Sequence, residues 1–199
     1  MAQLTTAQQS IVSYITVGAL GIPPGGYMEV LSDILVANGG SYGALVNGIV
    51  NSDVFQKTYP TFLSADQFAS KYATALLGST HAGLKTATDF MTAQLNAGVS
   101  RADVVTNVLT FLYNAKSDAT FGDAATKLAN QATVAAYYTI DKQGTATDLT
   151  TLQAVLSNVT KESASVDAAK TAISTGSAAG NTFTLTENVE VTNGNSGDN

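Results

Sequence analysis

Residues 67–114, QFASKYATALLGSTHAGLKTATDFMTAQLNAGVSRADVVTNVLTFLYN, decide how this chain folds. Phe68, Tyr72, Ala75 and Leu76 recur at helical spacing and stop at Gly78. Ala87, Phe90, Met91 and Leu95 form a second stripe, which stops at Gly98. Val104, Val105, Val108, Leu109 and Leu112 form a third. Ser64 with Gln67 fits a capping box, and Ser100 with Asp103 three residues on caps the third helix. The stretch therefore predicts three short amphipathic helices separated by glycine stops.

A looser copy lies upstream. Ile11, Val12, Ile15 and Ala19 follow a Thr6-x-x-Gln9 capping box and end at Gly21. After Pro23-Pro24, the residues Tyr27, Val30, Leu31, Ile34 and Leu35 read as one buried stripe, closed by Gly39-Gly40. Ser41 caps a helix bearing Leu45, Val46, Ile49 and Val50, and a short turn or helix over 53–59 ends at Pro60. Ala19-Leu20-Gly21 aligns with Leu76-Leu77-Gly78, and Gly39, Ser41 and Leu45 align with Gly98, Ser100 and Val104. Repetition at this period suggests helical units that bury one another's apolar faces.

Downstream, Phe121, Ala125, Leu128, Ala132, Ala135 and Tyr138 continue the helical pattern up to Gly144. Asp148 caps a helix with Leu149, Leu152, Leu156 and Val159, and a last helix runs over 163–174. At Gly176 the period changes: GSAAGN reads as a linker, and TFTLTENVEV alternates as a strand does. The expected fold is all-α, a bundle of about seven to nine short helices built on two related units. Residues 1–174 form the helical domain, with units at about 6–60 and 64–115 and C-terminal helices over 118–174. Residues 175–199 are expected to be a linker and the first strand of a β-rich region.

Composition narrows the chemistry. Cysteine is absent, which excludes disulfides, thiolate catalysis and cysteine-based zinc sites. Charged residues make up 12% of the 199, about half the share near 25% of an average domain, and Thr, Ser, Asn and Gln coat the surface instead. A net charge of -6 with nine dispersed basic residues argues against nucleic acid as a partner. The absence of cysteine fits a cytosolic protein or a cysteine-avoiding bacterial surface protein, and low lysine with abundant Thr, Asn and Gly favours the second. The segment 11–20 reads as a helix of the mature fold and not a signal peptide, because it lacks a basic leader and Ser13, Tyr14 and Thr16 interrupt it. No apolar run is long enough to predict a transmembrane helix.

The pattern Tyr72, Leu76-Leu77-Gly78, Ala82-Gly83-Leu84, Leu95-Asn96, Gly98, Ser100-Arg101 and Asp103-Val104-Val105 resembles the DUF4214-type helical domain of bacterial secreted and surface proteins. Thr80-His81 and Phe90 stand where that family often has Asp and Trp. The whole layout is similar to the N-terminal, cell-anchoring portion of Gram-negative surface-layer (S-layer) proteins, in which a helical domain precedes a β-roll. The resemblance implies a non-enzymatic, extracellular structural protein. It implies that the helical domain holds a self-assembling lattice to the O-polysaccharide of lipopolysaccharide and that export uses type I secretion. It also implies calcium for a full-length protein, near the turn that includes Asp198 and Asn199, while residues 1–199 are expected to need no cofactor. An alternative is the N-terminal domain of a type I-secreted RTX-like adhesin or exoenzyme whose active part lies beyond residue 199.

Catalytic residues are not evident. His81 is the only histidine, so a two-histidine metal site or a histidine-based relay has too few members, and it reads as a turn residue. Asp53, Asp66, Asp103, Asp123 and Asp148 sit at caps or polar faces. No phosphate-cradling loop, nucleophile elbow or dinucleotide fingerprint occurs. Eight tyrosines without a tryptophan point instead to flat rings that cover sugar C–H faces while nearby polar groups take the hydroxyls. The candidate glycan-contacting residues are Tyr27, Asn38, Tyr42, Asn51, Lys57 and Tyr59, near turns of the first unit.

Overall fold

A computed structural model describes residues 4–176, all of it helices and their connections. Ten α-helices follow in order: α1 Thr6–Leu20, α2 Met28–Ala37, α3 Tyr42–Val50, α4 Asp53–Thr58, α5 Ala65–Leu77, α6 Leu84–Asn96, α7 Arg101–Asn114, α8 Gly122–Ala136, α9 Leu149–Leu156 and α10 Ser163–Ser174. A 3₁₀ turn, Gly25–Tyr27, leads into α2, and a π-helical segment, Tyr137–Asp141, prolongs α8. The count exceeds the expected seven to nine because the short stretch after Ser52 is a true helix, capped by the Ser52 hydroxyl on Phe55 N. The expected strand and β-rich region fall at 177–199, outside the described residues.

The two sets of three helices share their punctuation. α1 and α5 end at Gly21 and Gly78, α2 and α6 are followed by Gly39-Gly40 and Gly98, and all of these glycines have positive φ. α3 and α7 start from serine caps, Ser41 and Ser100. The Ser64–Gln67 capping box forms in full. The first box is displaced by one residue: Thr5 and Gln8 make it, not Thr6 and Gln9. Thr5-x-x-Gln8 and Thr6-x-x-Gln9 satisfy the same pattern, so spacing alone does not separate them.

The helix at the centre is α1. Eight consecutive residues, Val12 to Ala19, are buried, so this helix is enclosed on every side. It lies along α8 and also touches α2, α3, α4 and α7. Its polar members are satisfied within the helix: Thr16 Oγ1 donates to Val12 O at 2.8 Å and Ser13 Oγ to Gln9 O at 3.0 Å. Gly18 faces α7 so closely that an added Cβ would lie 2.2 Å from Leu109 Cδ2. From the other side, Tyr72 of α5 donates its hydroxyl to Gly18 O at 3.0 Å. One continuous core runs from Val12 to Ile173.

Two stripes bury less than their periodicity suggested. Leu31 and Leu35 turn inward from α2, but Val30 is 60% exposed, because neighbours cover only one narrow side of that helix. Phe90 is likewise half exposed: α6 packs chiefly on α5 at the edge of the bundle and buries Met91 alone. Arg101 ties the two sets together. Its guanidinium donates to the carbonyls of Tyr59, Pro60, Thr61 and Leu63 at 2.7–3.4 Å and lies 4.7 Å from the Phe68 ring centroid.

Candidate functional site

The hub helix α1 passes between α3 and α7 on one side and α8 on the other. On each side it leaves a hollow. The first, about 220 Å³, lies between Tyr14, Tyr42, Val46, Thr106, Thr110 and Tyr113. The second, about 350 Å³, lies between Thr6, Ser10, Thr133, Tyr137, Asp141 and Lys170. Ile11, Tyr14 and Tyr113 line both, so the hollows adjoin across a tyrosine pair. The rings of Tyr14 and Tyr113 meet edge to face, 5.3 Å between centroids at 88°.

Each tyrosine is held differently. Tyr14 is buried, donates to Leu109 O at 3.1 Å, and has its ionisation pushed well above the normal phenol range by burial. It is a fixed wall. Tyr113, one position past the buried Leu112, is 54% exposed and forms the free lip of the pair. Tyr42, on the first turn of α3, is partly buried.

The π-helical segment, at the end of α8, presents Tyr137 to the second hollow while Tyr138 turns into the core. Such segments often occur where a helix serves a site. Gly144 permits the turn that follows, since any side chain there would collide with the Tyr138 ring, 2.3 Å from its Cβ position. The turn brings Lys142 back, its N–H donating to Tyr137 O at 3.0 Å. The Tyr137 hydroxyl bonds Ser174 Oγ at 2.6 Å, which, with a smaller contribution from Lys142, lowers its ionisation below the usual phenol range.

The six residues singled out in the sequence do not converge. Tyr42 belongs to the first hollow. Tyr27 is partly buried and donates its hydroxyl to Thr147 O at 2.8 Å, tying the 3₁₀ turn that precedes α2 to the loop before α9. Asn38 is exposed and closes the end of α2, donating to Ile34 O at 2.7 Å. Lys57 is exposed in the last turn of α4. Asn51 bonds Asn47 and lines a separate hollow of about 240 Å³ with Tyr59 and Arg101, whose guanidinium is already committed to backbone carbonyls. Tyr59 is a correction: it is 4% exposed and packs among Phe55, Phe68 and Tyr72 with centroids 4.7–5.7 Å away, so it is core and not surface. Its neighbour Pro60 ends a helix, which made it look turn-exposed.

Sequence reasoning missed Tyr14, Tyr113 and Tyr137 as a group. They stand far apart in the chain, and only the packing of α1 against α7 and α8 joins them. Among the described residues, no three histidine or acidic side chains converge to hold a metal ion, and the turn read for calcium at Asp198 and Asn199 lies outside them. No helix among those residues is long and apolar enough to cross a membrane.

Comparison with protein-family models, curated proteins and solved structures finds no match to this chain.

Proposed function

We propose that this domain is a non-catalytic anchor that attaches an extracellular lattice to the O-polysaccharide of outer-membrane lipopolysaccharide, with the paired hollows around Tyr14 and Tyr113 as the glycan groove. The observation that carries the reading is the convergence of Tyr14, Tyr42, Tyr113 and Tyr137 from four separate elements onto two adjoining hollows. Thr106, Thr110, Thr6, Ser10 and Thr133 supply hydroxyls beside those rings. Flat rings for C–H faces with neutral donors and acceptors nearby are what a sugar chain needs. The resemblance of residues 72–105 to domains of bacterial surface proteins supports the same assignment.

Turnover is not part of the proposal. Among the described residues, Asp141 is the only carboxylate that lines the two hollows, and acid–base cleavage of a glycosidic bond generally takes two. Single sites of this kind bind weakly, and a lattice of identical copies would multiply them by avidity. Calcium and the lattice contacts would belong to a longer protein.

The test is co-sedimentation of the 199-residue chain with lipopolysaccharide that carries or lacks its O-polysaccharide, alongside Tyr42→Ala and Tyr113→Ala. Retention that depends on the polysaccharide and falls in both variants is the expected result. Equal, negligible retention on both preparations removes the anchoring role.

A further inference from the structure

We propose that the second hollow is the acidic-sugar subsite of the groove, taking the carboxylate of a uronic or similar acidic residue; this rests on the glycan reading above. The chain has nine basic residues. Two of them, Lys142 and Lys170, reach one ring: their Nζ atoms lie 5.4 and 5.3 Å from the Tyr137 centroid. They arrive from different elements, the turn after the π-helical segment and α10, so helix periodicity does not account for their meeting.

Among the described residues, neither ammonium makes an ion pair. Lys85 and Lys161, by contrast, are neutralised by Asp89 and Asp123. Arg101 is occupied by carbonyls. Lys142 and Lys170 therefore form a small positive spot on an acidic protein. Both lie within cation–π range of the Tyr137 ring, which tolerates two like charges better than open packing would.

The spot adjoins the hollow. Lys170, Tyr137 and Asp141 all line it, together with Thr6, Ser10 and Thr133. Among the described residues, Lys170 in the lining and Lys142 over the Tyr137 ring stand against one lining carboxylate, Asp141, which leaves one net positive charge. That balance suits one monoanionic carboxylate better than a doubly charged phosphate. The hydroxyls would take the sugar's own hydroxyl groups, and the exposed Tyr113 lip would carry the next residue toward the first hollow.

The experiment uses the 199-residue chain and immobilised oligosaccharides containing glucuronate, galacturonate or neuraminate, each beside its carboxyl-reduced counterpart. At least one acidic oligosaccharide should bind about tenfold more tightly than its reduced partner, the size expected of two exposed ion pairs. The preference should shrink with added salt and vanish in a Lys142→Gln/Lys170→Gln variant that keeps its unfolding midpoint. Tyr113→Ala should weaken acidic and reduced forms alike. Equal binding of acidic and reduced forms, unchanged by the lysine substitutions, overturns the acidic subsite and leaves the groove standing. No binding to any member, neutral or acidic, overturns both. Displacement by inorganic phosphate at lower concentration than by free glucuronate overturns the carboxylate assignment.

Discussion

The hydroxyl of Tyr14 donates to the backbone carbonyl of Leu109 at 3.1 Å, joining α1 to α7 across 95 residues of chain. Beside it, Gly18 admits the Leu109 side chain at a distance no other residue would allow. The two contacts fix the depth at which α7 sits and, with it, the position of Tyr113. Tyr14→Phe should cost about 1 kcal/mol, the worth of one buried neutral hydrogen bond. Gly18→Ala should cost more, about 1–3 kcal/mol, because the core must open to admit a methyl group. Urea unfolding followed by circular dichroism measures both. A Gly18→Ala variant more stable than the parent, by the about 0.5–1 kcal/mol that alanine gains over glycine in a helix, would show that α7 is not packed this closely.

Arg101 makes a second test of what joins the helical sets. Its planar fork reaches four carbonyls from Tyr59 to Leu63, an arrangement a lysine's single ammonium does not match. Arg101→Ala should destabilise by about 2–4 kcal/mol, and Arg101→Lys should recover less than half of that. Full rescue by lysine would mean that charge alone, and not the fork, holds the segment.

Alkali should unfold this domain earlier than its helix content suggests. Burial pushes Tyr59 up to about 12 and also raises Tyr14 and Tyr72 well above the ordinary phenol range, whereas an unfolded tyrosine titrates near about 10. The folded state then holds protons that the unfolded state has released, so stability falls as pH rises. The contribution is complete below about pH 10 and is lost as pH climbs through the folded values. Unfolding midpoints should be flat up to about pH 9 and drop steeply by about pH 11.5, with the tyrosinate absorbance of Tyr14, Tyr59 and Tyr72 appearing only as the chain unfolds. Ionisation of all eight tyrosines in a chain that is still folded would contradict the burial of these three rings.

Two glycine substitutions should have opposite signs. Gly98 ends its helix at φ +86°, so Gly98→Ala should cost about 1–2 kcal/mol. Gly43 lies inside α3 with only Ser41 Oγ, 3.9 Å away, near its Cβ position. Gly43→Ala should therefore stabilise by about 0.5–1 kcal/mol. Thermal midpoints distinguish the two, and the same sign for both would refute the assigned backbone conformations.

What the sequence disclosed was local. Ser41, Ser64, Ser100 and Asp148 cap the helices their spacing announced, since a cap is written within four residues. Gly21, Gly78 and Gly98 stop them for the same reason. Burial was harder: Val30 and Phe90 fit the apolar period yet face solvent, because periodicity gives a direction and not the presence of a neighbour. Tyr59 went the other way, taken for surface and found in an aromatic core. The groove was beyond reach. Tyr14 read as an interruption of an apolar run, Tyr113 fell off its stripe, and Tyr137 depends on a π-helical segment that no spacing rule signals.

The hub's place in the chain has a kinetic consequence. α1 is synthesised before the helices that enclose it, which are complete only when α8 ends at Ala136. A half-made chain therefore carries the helix with eight consecutive buried residues before all of its neighbours exist. The rate-determining step should be closing those long loops, whose entropy must be met before any packing is gained, and not forming helices, which is fast.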